Sequence, residues 1–93
     1  MKIKILDSFS IKLTDQVEFI ALDKPYATRK FKKDVLNSLK ELEVLPYKHR
    51  KSIYFEDENI RDLIFKGYTI VYRIKPREEI IEVFGFIKFK QFL

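Results

Sequence analysis

The stretch Phe65–Lys75, FKGYTIVYRIK, predicts a β-strand that is entered through a glycine turn. Successive side chains of a strand point to opposite faces of the sheet. One face of this strand would carry Tyr68, Ile70, Tyr72 and Ile74. The other would carry Thr69, Val71, Arg73 and Lys75. The first set predicts a core-facing side. The second set leaves open whether its two cations lie on a solvated surface or bind something negative.

The segments around this strand continue the alternation of period two. NIRDLIF, residues 59–65, predicts the preceding strand, with Lys66–Gly67 as a tight turn between the two strands. EIIEVFGFIKFK, residues 79–90, predicts the last strand after a KPREE turn. Gly85 within it indicates a bulge or a close approach of two backbones, because glycine has no side chain to pack in an ordinary strand.

The first part of the chain changes from a strand to helical spacing. KIKIL, residues 2–6, predicts a short strand. A helix should follow to about Leu22, with Asp7 and Ser8 as candidate N-cap residues. Its apolar residues recur on one helical face, at Phe9, Leu13, Val17 and Ile20.

A second helix is indicated between Asp23, as its cap, and Pro46, which ends it; Pro25 lies in the first turn, where a missing N–H is tolerated. The predicted buried stripe is Ala27, Phe31, Val35, Leu39 and Leu42. Residues 47–58 predict a loop with some extended pairing around residues 52–55. The element order is therefore β-α-α-β-β-β. It predicts a two-layer α+β fold, with a helical hairpin packed on one face of a small, largely antiparallel sheet and the other face open.

Length and composition restrict the class of protein. A chain of 93 residues predicts a single domain over residues 1–93. It has no Cys, which excludes disulfides, a thiolate nucleophile and a cysteine-based zinc site. The single His and the scattered carboxylates show no ligand spacing, so we expect no metal and no cofactor. The absence of a signal peptide or a long apolar run predicts a cytoplasmic protein with no membrane partner. The net charge of +5 suits an anionic partner, or simply a basic soluble domain.

Four stretches in order carry a resemblance to a known family. They are DKPYATRKF (23–31), LNSLKELEVLP (36–46), IRDLIFKGYTIVYRI (60–74) and IIEVFGFIK (80–88). In this order they resemble the RelE/ParE superfamily of bacterial toxins from type II toxin–antitoxin systems, over about Leu22 to Lys88. The resemblance implies a small basic toxin that inhibits growth, contributes to plasmid stabilisation and is neutralised by a cognate antitoxin encoded beside it.

The superfamily has two main activities, so whether this chain is an enzyme stays open at this point. ParE-like members poison DNA gyrase and are not nucleases. RelE-like members enter the ribosomal A site and cut mRNA without a metal. Such cleavage needs a base for the 2′-hydroxyl, an acid for the leaving oxygen and cations for the phosphorane.

The residues of this chain depart from the nuclease pattern at several positions. Thr69 stands where an Arg usually follows the Gly-Tyr pair, and Asp62 lies beside Arg61 where a Lys pair is expected. The tail after Lys90 has no Tyr or His. These departures favour the ParE-like activity. The alternatives are a ribosome-dependent nuclease and a non-toxic basic binding module.

The candidate site residues follow from this comparison. A nuclease site would draw on Arg50, Lys51, Arg61, Arg73 and Lys88, with His49 as a weaker candidate acid or base. Binding of target or antitoxin would draw on Arg61, Arg73, Lys88, Lys90 and Phe92. We expect Arg50, Lys51, Arg61, Arg73 and Lys88 to line one side of the sheet as a single cationic surface. The alternative is that Arg61 and Arg73 only pair with carboxylates such as Asp62, Glu82 or Glu56. A homo-oligomer also stays open.

Overall fold

The computed structural model describes residues 1–88, which form two helices and one five-stranded sheet. The elements are β1 (Lys2–Ile5), α1 (Asp7–Asp23), α2 (Pro25–Glu41), β2 (Arg50–Lys51), β3 (Ile60–Phe65), β4 (Tyr68–Lys75) and β5 (Ile80–Lys88). The predicted α+β class and β-α-α-β-β-β order are confirmed, with the two-residue strand β2 as an addition. No helix within residues 1–88 is long and apolar enough to cross a membrane.

The sheet has the strand order β1-β5-β4-β3-β2 and is largely antiparallel, as predicted. Three of its four strand pairs, β2–β3, β3–β4 and β4–β5, are antiparallel. β1 instead runs parallel to β5. This arrangement makes β1 an edge strand, and the helical hairpin follows it directly in the chain.

Two glycines have the roles that the sequence predicts. Lys66 and Gly67 both have positive φ, at 44° and 83°, which is the requirement of a two-residue type I′ hairpin turn. At Gly85 the pairing of β4 with β5 slips between Val71 and Tyr72, so that Phe84 is the extra residue of a bulge. A Cβ on Gly85 would lie 2.9 Å from the Cβ of Val71. Gly85 therefore permits both a bulge and a close backbone approach.

The core lies between the helices and one face of the sheet. Phe9 and Leu13 of α1, and Phe31, Val35 and Leu39 of α2, are buried as predicted, whereas Ala27 of the predicted stripe is exposed. They pack against the face of the sheet that carries Ile70, Tyr72 and Ile74. Phe31 makes ring contacts with Phe65 and Tyr68, at centroid distances of 6.0 and 5.3 Å.

The helix ends differ from the predictions. The N-cap residues are Leu6 for α1 and Lys24 for α2, and neither makes a side-chain capping bond. The predicted caps Asp7, Ser8 and Asp23 are therefore wrong: all three lie inside α1. The Ser8 hydroxyl donates instead to the carbonyl oxygen of Phe84, at 2.8 Å.

The second helix is shorter than predicted. It ends at Glu41 rather than near Pro46, and turns at residues 42–44 follow. Leu42 is the C-cap residue and is fully buried. The Tyr72 hydroxyl donates to the carbonyl oxygen of Pro46 at 2.7 Å, which ties this connection to the sheet.

The sheet face opposite the helices is less open than predicted. Val71 and Ile60 on that face are 1% and 3% exposed. The segment Ser52–Phe55 crosses this face, because Phe55 contacts the Phe84 ring at 5.7 Å. The predicted pairing around residues 52–55 is found slightly earlier, at β2, with one more bond from the Ser52 N–H to the Ile60 carbonyl oxygen.

Candidate functional site

The cations that were predicted to share one surface lie on two faces of the sheet. Arg73 is opposite Ile60 in the β3–β4 pair, whereas Arg61 is opposite Tyr72, a core residue. Because opposed residues of antiparallel strands share a face, Arg61 and Arg73 point to opposite sides. The predicted single cationic surface is therefore not formed.

The remaining cations divide in the same way. Arg50 is opposite Asp62 and so joins the Arg73 face, while Lys51 is opposite Arg61. Lys88 lies on the helix side, with its Nζ 5.1 Å from the centroid of the Phe19 ring in α1. Lys90 and Phe92, the other two predicted binding residues, lie outside the described residues.

Arg61 holds two loops together. Its Nε–H donates to the carbonyl oxygen of Glu58 at 2.9 Å, and its Nη1–H to that of His49 at 3.2 Å. The guanidinium also lies over the Tyr47 ring, 5.1 Å from the centroid. Arg61 thus bonds to backbone carbonyls rather than to the carboxylates that the alternative interpretation named.

Arg73 belongs to a small cluster of charged and aromatic groups. Its Nη1 lies 3.7 Å from Oε1 of Glu82, and the Nζ of Lys75 lies 3.2 Å from the same oxygen. The guanidinium is 5.1 Å from the centroid of the Phe84 ring, whose other neighbour is Phe55. The cross-strand pairing with Glu82 is present as the alternative interpretation expected, yet the Arg73 side chain is still 42% exposed.

Asp62 is the buried charge of this face. Its side chain is fully buried, and its Oδ2 accepts the Ile53 N–H at 3.1 Å. The same oxygen lies 3.6 Å from Nη2 of Arg50. Thr69, which stands where the nuclease pattern has an Arg, is also buried. The carboxylate and the hydroxyl thus occupy positions where a phosphate site would need positive charge.

Two titratable rings, His49 and Tyr72, lie on the opposite side of the sheet, and both are poorly placed for proton transfer. His49 is half-buried against Tyr72, at a centroid distance of 6.3 Å. Burial, and then the charge of Lys48, lowers the pKa of His49 below its ordinary value of 6.5, against a smaller opposing effect of Glu41. Burial raises the pKa of Tyr72 to about 12. Its hydroxyl proton is directed to the Pro46 carbonyl oxygen.

A second candidate surface lies between α2 and β1. Ile3, Ile5, Leu36 and Leu39 line an apolar groove there. Its rim carries the cations Arg29, Lys32, Lys33 and Lys40. Within the part of the chain that the structure describes, none of these four takes part in a salt bridge. The signal in the sequence was Leu36, an apolar residue next to the buried stripe and 37% exposed in the structure.

The edge of β1 borders this groove. The N–H of Lys2 donates to Glu79 and that of Leu6 to Val83, at 3.0 and 2.9 Å. Since the backbone groups of a strand alternate in direction, those of Ile3 and Ile5 point away from β5. The groove therefore has an edge that can pair with an extended segment.

No cluster of His, Cys, Asp or Glu among the described residues is arranged to hold a metal ion. The chemistry that these surfaces offer is binding through cations, aromatic rings and backbone groups.

The order of elements and the exposed cations define a small basic α+β domain. A family model described as ParE toxin of type II toxin–antitoxin system, parDE, matches residues 3–90. The chain belongs to this toxin family. Comparison with curated proteins gives no significant match.

Proposed function

We propose that this chain is the toxin of a type II pair, that it inhibits growth by poisoning DNA gyrase, and that it does not cleave RNA. The observation that carries this choice is the chemistry of the β3–β4 face. Asp62 and Thr69 are buried there, and the flanking cations Arg50 and Arg73 already face carboxylates. A buried carboxylate repels phosphate, so this face is better suited to a protein surface than to an RNA backbone.

Proton transfer gives a second argument against cleavage. Attack by a 2′-hydroxyl is most efficient when an accessible group that titrates near neutral pH takes up the proton. His49 is the only His of the chain, and its Nε2 is buried. Tyr72 has a pKa of about 12 and a committed hydroxyl proton. Neither the Nε2 of His49 nor the Tyr72 hydroxyl is available to a substrate hydroxyl.

The cluster around Arg73 is the proposed contact with the target. It consists of Arg73, Phe84 and Phe55, with Phe55 41% exposed. Aromatic and Arg side chains held rigidly by neighbours are the residues most enriched in the energetic centres of protein interfaces. The cation–π contact and the salt bridge to Glu82 hold Arg73 in place before any partner arrives.

The groove between α2 and β1 is the proposed binding site of the antitoxin. Its apolar floor and basic rim are complementary to an acidic, amphipathic segment that is disordered when free. Such a segment can pair its backbone with Ile3 and Ile5, place apolar side chains beside Leu36, and direct carboxylates toward Lys32 and Arg29. We expect nanomolar or tighter affinity that weakens with salt, since exposed charges are screened.

Induction of the gene tests the target. Gyrase poisoning should produce filaments, DNA breaks and an SOS response while protein synthesis continues. A halt of translation within minutes, with cleaved mRNA and no DNA breaks, would replace this proposal by the ribosome-dependent nuclease. The absence of any growth defect, with folded protein present, would leave a non-toxic binding module.

Binding of the neighbour-encoded antitoxin tests the groove. The double variant Lys32→Glu/Leu36→Glu should weaken the complex at least tenfold. The first change reverses a charge on the rim, and the second removes an apolar contact in the groove. Arg77→Glu, on the exposed turn after β4, is the matched control and should bind as the wild type does. Unchanged affinity of the folded groove variant would show that the antitoxin binds elsewhere.

A further inference from the structure

The outer surface of the helical hairpin is unusual for a solvated face. Ile11 and Leu22 of α1 are 61% and 87% exposed, and Tyr26 at the start of α2 is 95% exposed. The opposite face of α1 already packs on the core through Phe9 and Leu13. A helix with apolar residues on both sides is typical of one that is covered on both sides.

The exposed residues of α1 form one stripe. Ile11, Asp15, Glu18 and Leu22 follow each other at spacings of four, three and four residues. This spacing keeps them on a single face of the helix, as in a coiled-coil seam. The helix is acidic as a whole, with four carboxylates against one lysine.

The second helix has a matching stripe of the opposite charge. Tyr26, Lys30, Lys33 and Asn37 repeat the same spacing, and all four are exposed. This helix carries five cations against two carboxylates. The two stripes lie side by side, because α1 and α2 pack together and only Lys24 separates them.

The two stripes are also in register along the hairpin. Glu18 and Lys30 are each six residues from Lys24, and Asp15 and Lys33 are each nine residues from it. Residues that are equally far from Lys24 in the chain lie at equal heights along the hairpin, since each residue adds about 1.5 Å along a helix. Leu22 and Tyr26 likewise share a level next to the connection. Acidic residues thus lie level with basic residues, and an apolar residue with an aromatic one.

These four charged residues make no salt bridge within residues 1–88. They point outward from the hairpin, so neighbours at the same height do not meet within one chain. A second copy can be generated by a half-turn rotation about an axis parallel to the helices. In that copy each residue keeps its position along the axis, and α1 and α2 exchange sides. It places α1 of one copy on α2 of the other, with opposite chain directions.

We propose that two copies of this chain associate through the hairpin as a symmetric dimer with a four-helix core. Glu18 then faces Lys30 of the other copy, Asp15 faces Lys33, and Leu22 packs on Tyr26. The two-fold symmetry forms each pair twice. Apolar contact near the hairpin tip drives the association, and the charge pairs fix its orientation.

The charge pattern favours a second copy over other occupants. An acidic segment is complementary to α2 but is repelled by the carboxylates of α1. A basic partner is complementary to α1 but is repelled by the cations of α2. A second copy offers both signs at the required heights, and this match does not depend on the identity of the toxin's target.

The test uses two charge-reversal variants of the full chain. One variant carries Asp15→Lys and Glu18→Lys, and the other carries Lys30→Glu and Lys33→Glu. The mass of each is measured by analytical ultracentrifugation at low ionic strength, alone and after mixing. The altered side chains are exposed, so circular dichroism should show unchanged helix content.

The wild type should sediment as a dimer at low salt and dissociate as salt is raised. Each variant alone should be a monomer, because both of its helix pairs become repulsive. Their mixture should recover the dimer mass, since each variant supplies the charge that the other lacks. The chain with all four reversals should also dimerise.

Three results would overturn the proposal. The first is a wild type that stays monomeric at low salt at every concentration tested. The second is a charge variant that dimerises as well as the wild type, which would place the interface elsewhere. The third is a mixture of the two folded variants that stays monomeric. These measurements are independent of toxicity, so their outcome is separate from that of the gyrase proposal.

Discussion

The Asp62 carboxylate accepts the backbone N–H of Ile53 at 3.1 Å, and this bond joins the sheet to the segment that crosses it. The Asp62 side chain is fully buried, and Arg50 provides its only neighbouring cation within 4 Å among the described residues. The bond therefore fixes the covering segment in place beside Arg73 and Phe84.

Asp62→Ala should destabilise the protein by about 1–3 kcal/mol, because the Ile53 N–H and the Arg50 guanidinium lose their partner. Urea unfolding followed by circular dichroism measures this change. Glu56→Ala, an exposed carboxylate of the same loop, is the control and should change stability by less than about 0.5 kcal/mol. Equal effects of the two substitutions would show that the Asp62 contact does not hold the loop.

Gly85→Ala should cost about 1–3 kcal/mol, since the added methyl overlaps Val71 at 2.9 Å in a tightly paired bulge. Gly67→Asn is the matched substitution in the turn. It meets no neighbouring atom within 4 Å, and Asn tolerates the positive φ of 83° better than other residues. The thermal unfolding midpoint of Gly85→Ala should be lower than that of Gly67→Asn. The reverse order would mean that the bulge can widen without cost.

The features that the sequence predicted correctly are local. The alternation in β4 identifies Ile70, Tyr72 and Ile74 as core residues, because a period of two is imposed by the strand itself. Gly67 and Gly85 mark a turn and a bulge for reasons that depend on their own backbone. The stripe of α2 similarly identifies Phe31 from helical spacing alone.

The features that it predicted wrongly have different causes. Arg61 and Arg73 were expected on one face, but the register that pairs Ile60 with Arg73 places them on opposite faces. The two-residue turn at Lys66–Gly67 fixes this register, so the predicted turn already implied opposite faces for Arg61 and Arg73. The burial of Asp62 is invisible in the sequence, since it depends on a loop that folds back over the sheet.

The stability of the protein should fall as the pH decreases below about 6.5, partly because of His49. Its pKa is lowered in the folded state, mainly by burial, so the unfolded chain binds the proton first. The contribution of neutral His49 is thus complete above the ordinary value of 6.5 and is lost as the pH falls toward the folded-state pKa.

His49→Gln should remove this part of the pH dependence. The measurement is the free energy of unfolding in urea at a series of pH values for the wild type and the variant. Carboxylates titrate in both proteins at lower pH, so the comparison is made above about pH 5. Parallel curves for the two proteins in that window would show that His49 takes up its proton equally well when folded.

Arg61→Ala should mainly lower the stability of the protein, whereas Arg73→Ala should mainly lower its growth inhibition. Arg61→Ala should lower stability by about 1–2 kcal/mol, because the Glu58 and His49 carbonyls lose a donor. Arg73→Ala removes a partly exposed ion pair worth no more than about 1 kcal/mol, yet it should lose much of the growth inhibition. Growth after induction is compared at equal protein levels. A stable Arg73→Ala protein that inhibits growth as the wild type does would remove Arg73 from the target surface.

One paired measurement tests the proposal that this toxin acts on gyrase and not on RNA. Purified protein is incubated with gyrase and plasmid DNA in one reaction, and with translating ribosomes and mRNA in the other. Free toxin should stabilise cleaved DNA in the first reaction and leave mRNA intact in the second, and the antitoxin should abolish the DNA cleavage. Cleaved mRNA together with unaffected gyrase would contradict the account.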